Sequence, residues 1–150
     1  IHENRLLDVG AGPGIPSIPL AILWPERHIT ALDSNGKKVR FMMQVKSELG
    51  LSNLFPVQSR VEDYHVQPPF NAILSRAYSS LVDFVTSSQH LLALDGRFLA
   101  MKALIDSTEL SKVPKPYKVN NCLPLHVPGC EAERHLIVIH RDSEIIANTP

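Results

Sequence analysis

The segment Asp8-Val9-Gly10-Ala11-Gly12-Pro13-Gly14 carries the strongest chemical signal in the chain. It follows a short apolar run, Arg5 to Val9, bounded by glycine and so predicted to be a buried strand. The glycines therefore fall at a strand's carboxyl end, where open α/β sheets bind ligands. Glycine there permits positive φ and lets a ligand come close to the backbone. The loop alone also fits a tight strand-to-helix turn that binds nothing. A dinucleotide fingerprint needs glycine at its sixth position, which is Ile15 here. Pro13, Pro16 and Pro19 remove three N–H donors that a pyrophosphate would want. Pro16 and Pro19 are still at home in a first helical turn, whose N–H groups have no intrahelical partner. The loop is thus a poor phosphate cradle. S-adenosylmethionine carries no phosphate, and its ammonium suits the carboxylate of Asp8.

Asp33 ends the next apolar run, 23 residues after Gly10. That is close to the ~20-residue spacing of an acid that binds ribose hydroxyls. A carboxylate accepts two hydrogen bonds from a vicinal diol. The competing role is N-cap of a helix from Asn35 onward. Loop and acid agree on one ligand, which favours ribose.

The elements that must position these residues alternate along the chain. Strands are predicted at Arg5 to Val9, His28 to Leu32, Leu54 to Gln58, Asn71 to Ser75 and Arg97 to Met101. Two more are predicted at Val119 to Val127 and His135 to His140. Helices are predicted at Pro16 to Trp24, at Lys37 to Leu49 with Gly50 as C-cap, and at Ser80 to Leu94. In the last of these, Ser80 and Asp83 are spaced like a capping box and Gly96 is the stop. A short helix is expected at Asp106 to Lys112. Strand–helix alternation implies a parallel sheet wound by helices on both faces. The final two strands lack an intervening helix and suit an antiparallel hairpin, giving a mixed, Rossmann-like sheet.

The chain's 150 residues suit one domain, with 44% hydrophobic and 20% charged residues. One catalytic domain over 1–150 is the expectation, with a flexible tail over 142–150. No apolar run approaches a membrane span. The two cysteines make no disulfide framework, so a reducing cytoplasm is expected. The formal net charge is zero, yet Ser34 to Arg60 holds five basic residues and only Glu48 as an acid. A balanced total can hide one basic face.

With these residues in view, Leu6-Leu-Asp-Val-Gly-Ala-Gly-Pro-Gly-Ile-Pro-Ser-Ile-Pro-Leu20 resembles the cofactor loop of the glucose-inhibited division protein B family. Leu32-Asp-Ser-Asn-Gly-Lys-Lys-Val-Arg-Phe41 is similar to that family's second signature. Gln58 to Glu62, Leu74 to Ala77 and Glu133 to Leu136 match further blocks in order, so the resemblance spans about residues 5 to 140. It implies a class I S-adenosylmethionine-dependent methyltransferase fold with a seven-stranded sheet. It implies small-subunit (16S) ribosomal RNA as partner and guanine N7 as methyl acceptor. Cofactor contacts are implied at Gly10 and Ile15, with Ser34 in the second signature. Val61 and Glu62 are implied at the adenine end, with Arg76 lining the site. The cofactor-binding set is therefore Asp8, Gly10, Gly12, Gly14, Ile15, Asp33, Ser34, Val61, Glu62 and Arg76. The sequence departs from the pattern at Ser17 and Ala103, where glycine is usual, and the family's N-terminal helical segment is not in these 150 residues.

Guanine N7 offers an in-plane lone pair and carries no proton, so attack on a sulfonium methyl needs no general base. The protein's task is alignment and exclusion of water. Accordingly no cysteine stands at the end of the fourth predicted strand, as covalent catalysis at a pyrimidine carbon would require. Gln67-Pro-Pro-Phe70 precedes that strand and reads as a turn, not as a clamp for an exocyclic amine. Arg76 is the candidate catalytic residue, with guanine O6 or the cofactor carboxylate as its partner. Lys37 and Arg40, opposite Val39, Met42 and Leu49, are candidates for RNA phosphates or simply a solvated helix face. Lys102 is a candidate for RNA contact or for capping the sheet. Tyr64 and Tyr78 are candidates for base stacking or for packing. Cys122, His126, Cys130 and His135 lack the close ligand pairs of zinc sites, so no metal is expected. A monomer is expected. Two other readings stay open: a methyltransferase-like RNA-binding or ribosome-assembly module without transfer activity, and a nicotinamide-dependent oxidoreductase.

Overall fold

In β1 (Arg5–Val9), Leu6 is buried against one layer and Leu7 and Val9 against the other, so the strand is covered on both faces. The computed structural model describes residues 4–76, 80–126, 128–129 and 133–142. After β1 come α1 (Ser17–Leu23), β2 (His28–Asp33), α2 (Gly36–Leu49), β3 (Leu54–Gln58) and β4 (Phe70–Ser75). Then follow α3 (Leu81–Ser88), β5 (Leu92–Lys102), α4 (Ser107–Ser111), β6 (Tyr117–Leu125) and β7 (Arg134–Arg141). Single 3-10 turns lie at Val61–Asp63 and Gln89–Leu91.

The seven strands form one sheet in the order β3-β2-β1-β4-β5-β7-β6. Strands β1 to β5 run parallel, and β7 pairs antiparallel with β5 and with β6. The expected doubly wound sheet with an antiparallel C-terminal hairpin is what forms, and the last strand inserts between β5 and β6. Helices α1 and α2 bury Ala21, Val39 and Met42 against Leu6, Ile29, Ala31 and Leu54. On the other face α3 buries Leu81, Phe84 and Val85 against Phe98, Ile137 and Ile139. There Phe98 meets Phe84 and Tyr117 edge-on, with ring centroids 5.4 and 5.2 Å apart.

Local chemistry fixes the helix ends. The Asn35 side chain accepts the Lys37 N–H at 3.0 Å, and Gly50 closes α2 at φ 63°. The Ser80 hydroxyl accepts the Asp83 N–H at 3.1 Å at the start of α3.

One expected element is wrong. The helix predicted over Ser80 to Leu94 ends at Ser88, and Leu92 already belongs to β5. Gly96 therefore lies inside a strand and stops no helix. The pairing shifts from Phe70 with Leu92 to Ala72 with Arg97, so β5 bulges between them. A side chain at Gly96 would come within 2.7 Å of Leu92 Cδ1 and 2.9 Å of the Asn71 carbonyl. A short run of leucines is ambiguous between helix and strand, and the bulge hid the strand's period. At the other end, Asp142 begins the segment expected to be a flexible tail. Its N–H instead donates to the Pro116 carbonyl at 2.8 Å, and its carboxylate lies 3.4 Å from Lys118. Tyr78, Val127, Cys130 and 143–150 lie outside the described residues.

Candidate functional site

β1 lies between β2 and β4, so successive connections leave in opposite directions and open a crevice at the strands' carboxyl ends. A cavity of about 460 Å³ occupies it, within the usual size of small-molecule sites. Val9 and Leu32 form apolar walls beside Gly10 and Ser75. Asp33 and Ser34 line one side, and the stretch Ser59 to Glu62, with the 3-10 turn, lines another.

The glycine loop is held from within. The Ala11 N–H donates to the Leu32 carbonyl at 2.9 Å, Gly12 N–H to Asp33 Oδ2 at 2.8 Å, and Gly14 N–H to the Ala11 carbonyl at 3.0 Å. Those amides are engaged, and Pro13 has none, which matches a loop unsuited to diphosphate. Gly14 adopts φ 99°, and an added Cβ there would run into the Ile18 side chain. Its role is packing against α1 and α2. Gly12 is buried, whereas Gly10 is exposed and lines the cavity.

Asp33 is the hinge between loop and second strand. Besides the Gly12 amide on Oδ2, its Oδ1 accepts the Asn35 N–H at 2.8 Å. Each oxygen keeps a further lone pair for a diol. The cap of α2 is Asn35, so Asp33 is not needed for that purpose. The Asp33 carbonyl also accepts the Ser59 N–H at 3.1 Å and ties down the segment leading to Val61 and Glu62.

Asp8 sits beneath the loop, 2% exposed. Burial pushes its carboxyl from an ordinary 3.8 up to about 7. The Ser17 hydroxyl and backbone N–H and the Arg76 charge pull it back, and Asp33 adds a small push upward. Arg76 follows β4 directly and is exposed. Ile15 is half exposed at the loop's edge.

The structure thus brings Gly10, Asp33, Ser34, Val61 and Glu62 onto one cavity, with Asp8 below and Arg76 beside the end of β4. Gly12 and Gly14 shape the loop. Lys37 and Arg40 are exposed on α2, while Val39 and Met42 face the core and Leu49 is exposed rather than buried. Lys102 is not a free cation: it is ion-paired with Glu109, whose Oε1 also accepts the Leu81 N–H at 3.0 Å. Tyr64 is half-buried and packs on the α3-side core. Among the described residues no group of three or more His, Cys, Asp or Glu could hold a metal ion. No helix is long and apolar enough to cross a membrane among those residues. Sequence reasoning gave no site role to Ser17, Ser59, Arg60 and Ser75, although all four lie inside the quoted blocks. Ser59, Arg60 and Ser75 line the cavity, and the Ser17 contact with Asp8 becomes visible only when α1 packs beside β1.

The sheet order and the crevice define the class I methyltransferase fold. Solved structures share it: TrmN from Thermus thermophilus superposes with a TM-score of 0.75 at 18% identity, covering 93% of this chain and 44% of that one. An rRNA methylase from Streptococcus thermophilus gives 0.65 at 14% identity, covering 93% and 87%. The chain belongs to the family described as GidB, rRNA small subunit methyltransferase G, which it matches over residues 1–137. It is 53% identical over 139 residues to ribosomal RNA small subunit methyltransferase G of Enterobacter sp. (strain 638), covering 93% of this chain and 67% of that protein. The same-named protein of Klebsiella pneumoniae (strain 342) is 51% identical over 143 residues, covering 95% and 69%.

Proposed function

We propose that this chain transfers a methyl group from S-adenosylmethionine to N7 of a guanine in small-subunit (16S) ribosomal RNA. The observation that carries this reading is the crevice itself: an acid at the end of β2 held by the Gly12 amide, above loop amides already in use. Such a site accepts a nucleoside diol and offers little to a diphosphate, which disfavours a nicotinamide cofactor.

The fit of residues to cofactor is direct. Asp33 takes the ribose hydroxyls, and Ser34, Val61 and Glu62 border the nucleoside. Gly10 lets it approach the backbone, Ile15 shields its edge, and Asp8 supplies negative charge for the ammonium. The bound cofactor supplies an electrophilic methyl on sulfonium. Arg76, at the end of β4, orients guanine through O6 or holds the cofactor carboxylate. No residue needs to take a proton from N7, so the chain's work is alignment of the base with the methyl group. Lys37 and Arg40, exposed beside the β2 end, meet RNA phosphates. Residues 1–150 form one catalytic domain, acting in the cytoplasm as a monomer without a metal.

The test is transfer of labelled methyl to small-subunit RNA, both naked and in assembled subunits, followed by nucleoside analysis. The expected product is 7-methylguanosine. Cofactor binding without product on either substrate would favour instead an RNA-binding or assembly module.

A further inference from the structure

We propose that the Ser17 hydroxyl is a positioning group for the cofactor: it holds and orients the Asp8 carboxylate. The inference rests on the reading of Asp8 as the partner of the cofactor's ammonium. Ser17 is the first residue of α1 and is completely buried, and its Oγ donates to Asp8 Oδ2. Its backbone N–H also favours the charged form of that carboxyl. The hydroxyl has no capping duty, because the N-cap of α1 is Pro16 and no side chain caps the helix. Its partner is therefore the acid at the end of β1, next to the cavity-lining Val9 and Gly10, and not the helix.

A buried carboxyl without donors keeps its proton, and a neutral acid gives an ammonium no charge to meet. Three things oppose that outcome at Asp8. Two are the hydrogen bonds from Ser17, and the third is the Arg76 charge, while Asp33 acts in the opposite sense. Arg76 acts at a distance and is exposed, so solvent weakens it. The hydroxyl is the contact that one atom's removal can abolish while the backbone donor stays.

The experiment is calorimetric titration of S-adenosylhomocysteine into the protein between pH 5.5 and 8.5, in two buffers of different ionisation enthalpy. Wild-type affinity should rise with pH to a plateau, with proton release below the midpoint. Ser17→Ala should move that midpoint up by about one pH unit and weaken binding about tenfold at pH 6, with little loss at pH 8.5. Ser17→Thr, which keeps a hydroxyl, should restore the wild-type profile. Ser17→Gly serves as a second hydroxyl deletion should the alanine variant fold poorly. Asp8→Asn should flatten the profile. A Ser17→Ala midpoint equal to wild type overturns the inference. So does an equal loss at every pH, which would mark a merely structural role. Wild-type protein that binds no S-adenosylhomocysteine at any pH sinks the function proposed above along with it.

Discussion

The Gly12 amide donates to Asp33 Oδ2 at 2.8 Å, so the glycine loop and the acid at the end of the second strand form one unit. The two residues are 21 apart in sequence and meet because β1 and β2 pair in register, Asp8 beside Ala31 and Val9 beside Leu32. The same carboxylate holds the Asn35 amide, so it fixes the start of α2 as well as the loop.

Asp33→Ala should therefore act twice. Loss of charged hydrogen bonds to the ribose should weaken S-adenosylhomocysteine binding by about 1.5–3 kcal/mol, read by calorimetry. Two amides also lose their acceptor, so the melting temperature should fall even without ligand. Asp33→Asn, which keeps a carbonyl acceptor, should recover more of the stability than of the affinity. Unchanged affinity in either variant would remove Asp33 from the cofactor site.

The glycines of the loop should separate by experiment. At Gly12 an added methyl meets nothing within 4 Å, so Gly12→Ala carries only the left-handed backbone, about 1–2 kcal/mol. At Gly14 the methyl would press into Ile18 and Met42, adding overpacking of about 1–3 kcal/mol. Thermal melts should rank Gly14→Ala well below Gly12→Ala. Equal melting temperatures would show that the α1–α2 packing yields.

Much of this site was legible before the fold. The loop's glycines, the interrupting prolines and the spacing to Asp33 are local patterns, and the parallel sheet brings them together without further information. Ser17 was not legible in the same way. A serine at the start of a helix reads as ordinary, and its bond to Asp8 exists only because α1 packs over the end of β1. Lys102 was ambiguous for the same reason, since its partner Glu109 lies across a loop. The β5 boundary failed because a bulge breaks the alternation that identifies a strand.

The buried Asp8 makes stability depend on pH in a definite direction. Its folded-state value near 7 lies above the ordinary 3.8 of an exposed chain, so the folded protein binds the proton more tightly between those values. Stability of the ligand-free protein should fall as pH rises from about 4 to 7 and then level off. Asp8→Asn should remove that slope, as followed by urea unfolding at several pH values. A slope that survives the substitution would have to come from another group.

Glu109 joins two loops at the carboxyl edge of the sheet, taking the Lys102 ammonium from the end of β5 and the Leu81 amide from the start of α3. Glu109→Ala should cost about 1–3 kcal/mol, because both groups are left with a lost acceptor in a partly buried place. Adding Lys102→Ala to that variant should cost less than Lys102→Ala does alone, since the two groups are coupled. Additive losses would mean that Lys102 has a separate task, and a reduced salt dependence of RNA binding in Lys102→Ala alone would make that task a phosphate contact.

Arg76 bears on both chemistry and binding, and pH separates the two. Its charge helps to keep Asp8 ionised, so Arg76→Ala should weaken cofactor binding near pH 6 through Asp8. Above pH 8 Asp8 is ionised in either protein, and cofactor affinity should then change by no more than about threefold. Methyl transfer should still fall steeply there, because the arginine's remaining role is to orient the acceptor base, a loss felt in kcat and not in cofactor Kd. Single-turnover rates beside calorimetry at pH 8.5 would decide the matter. Parallel losses in rate and affinity at that pH would reassign Arg76 to the cofactor alone.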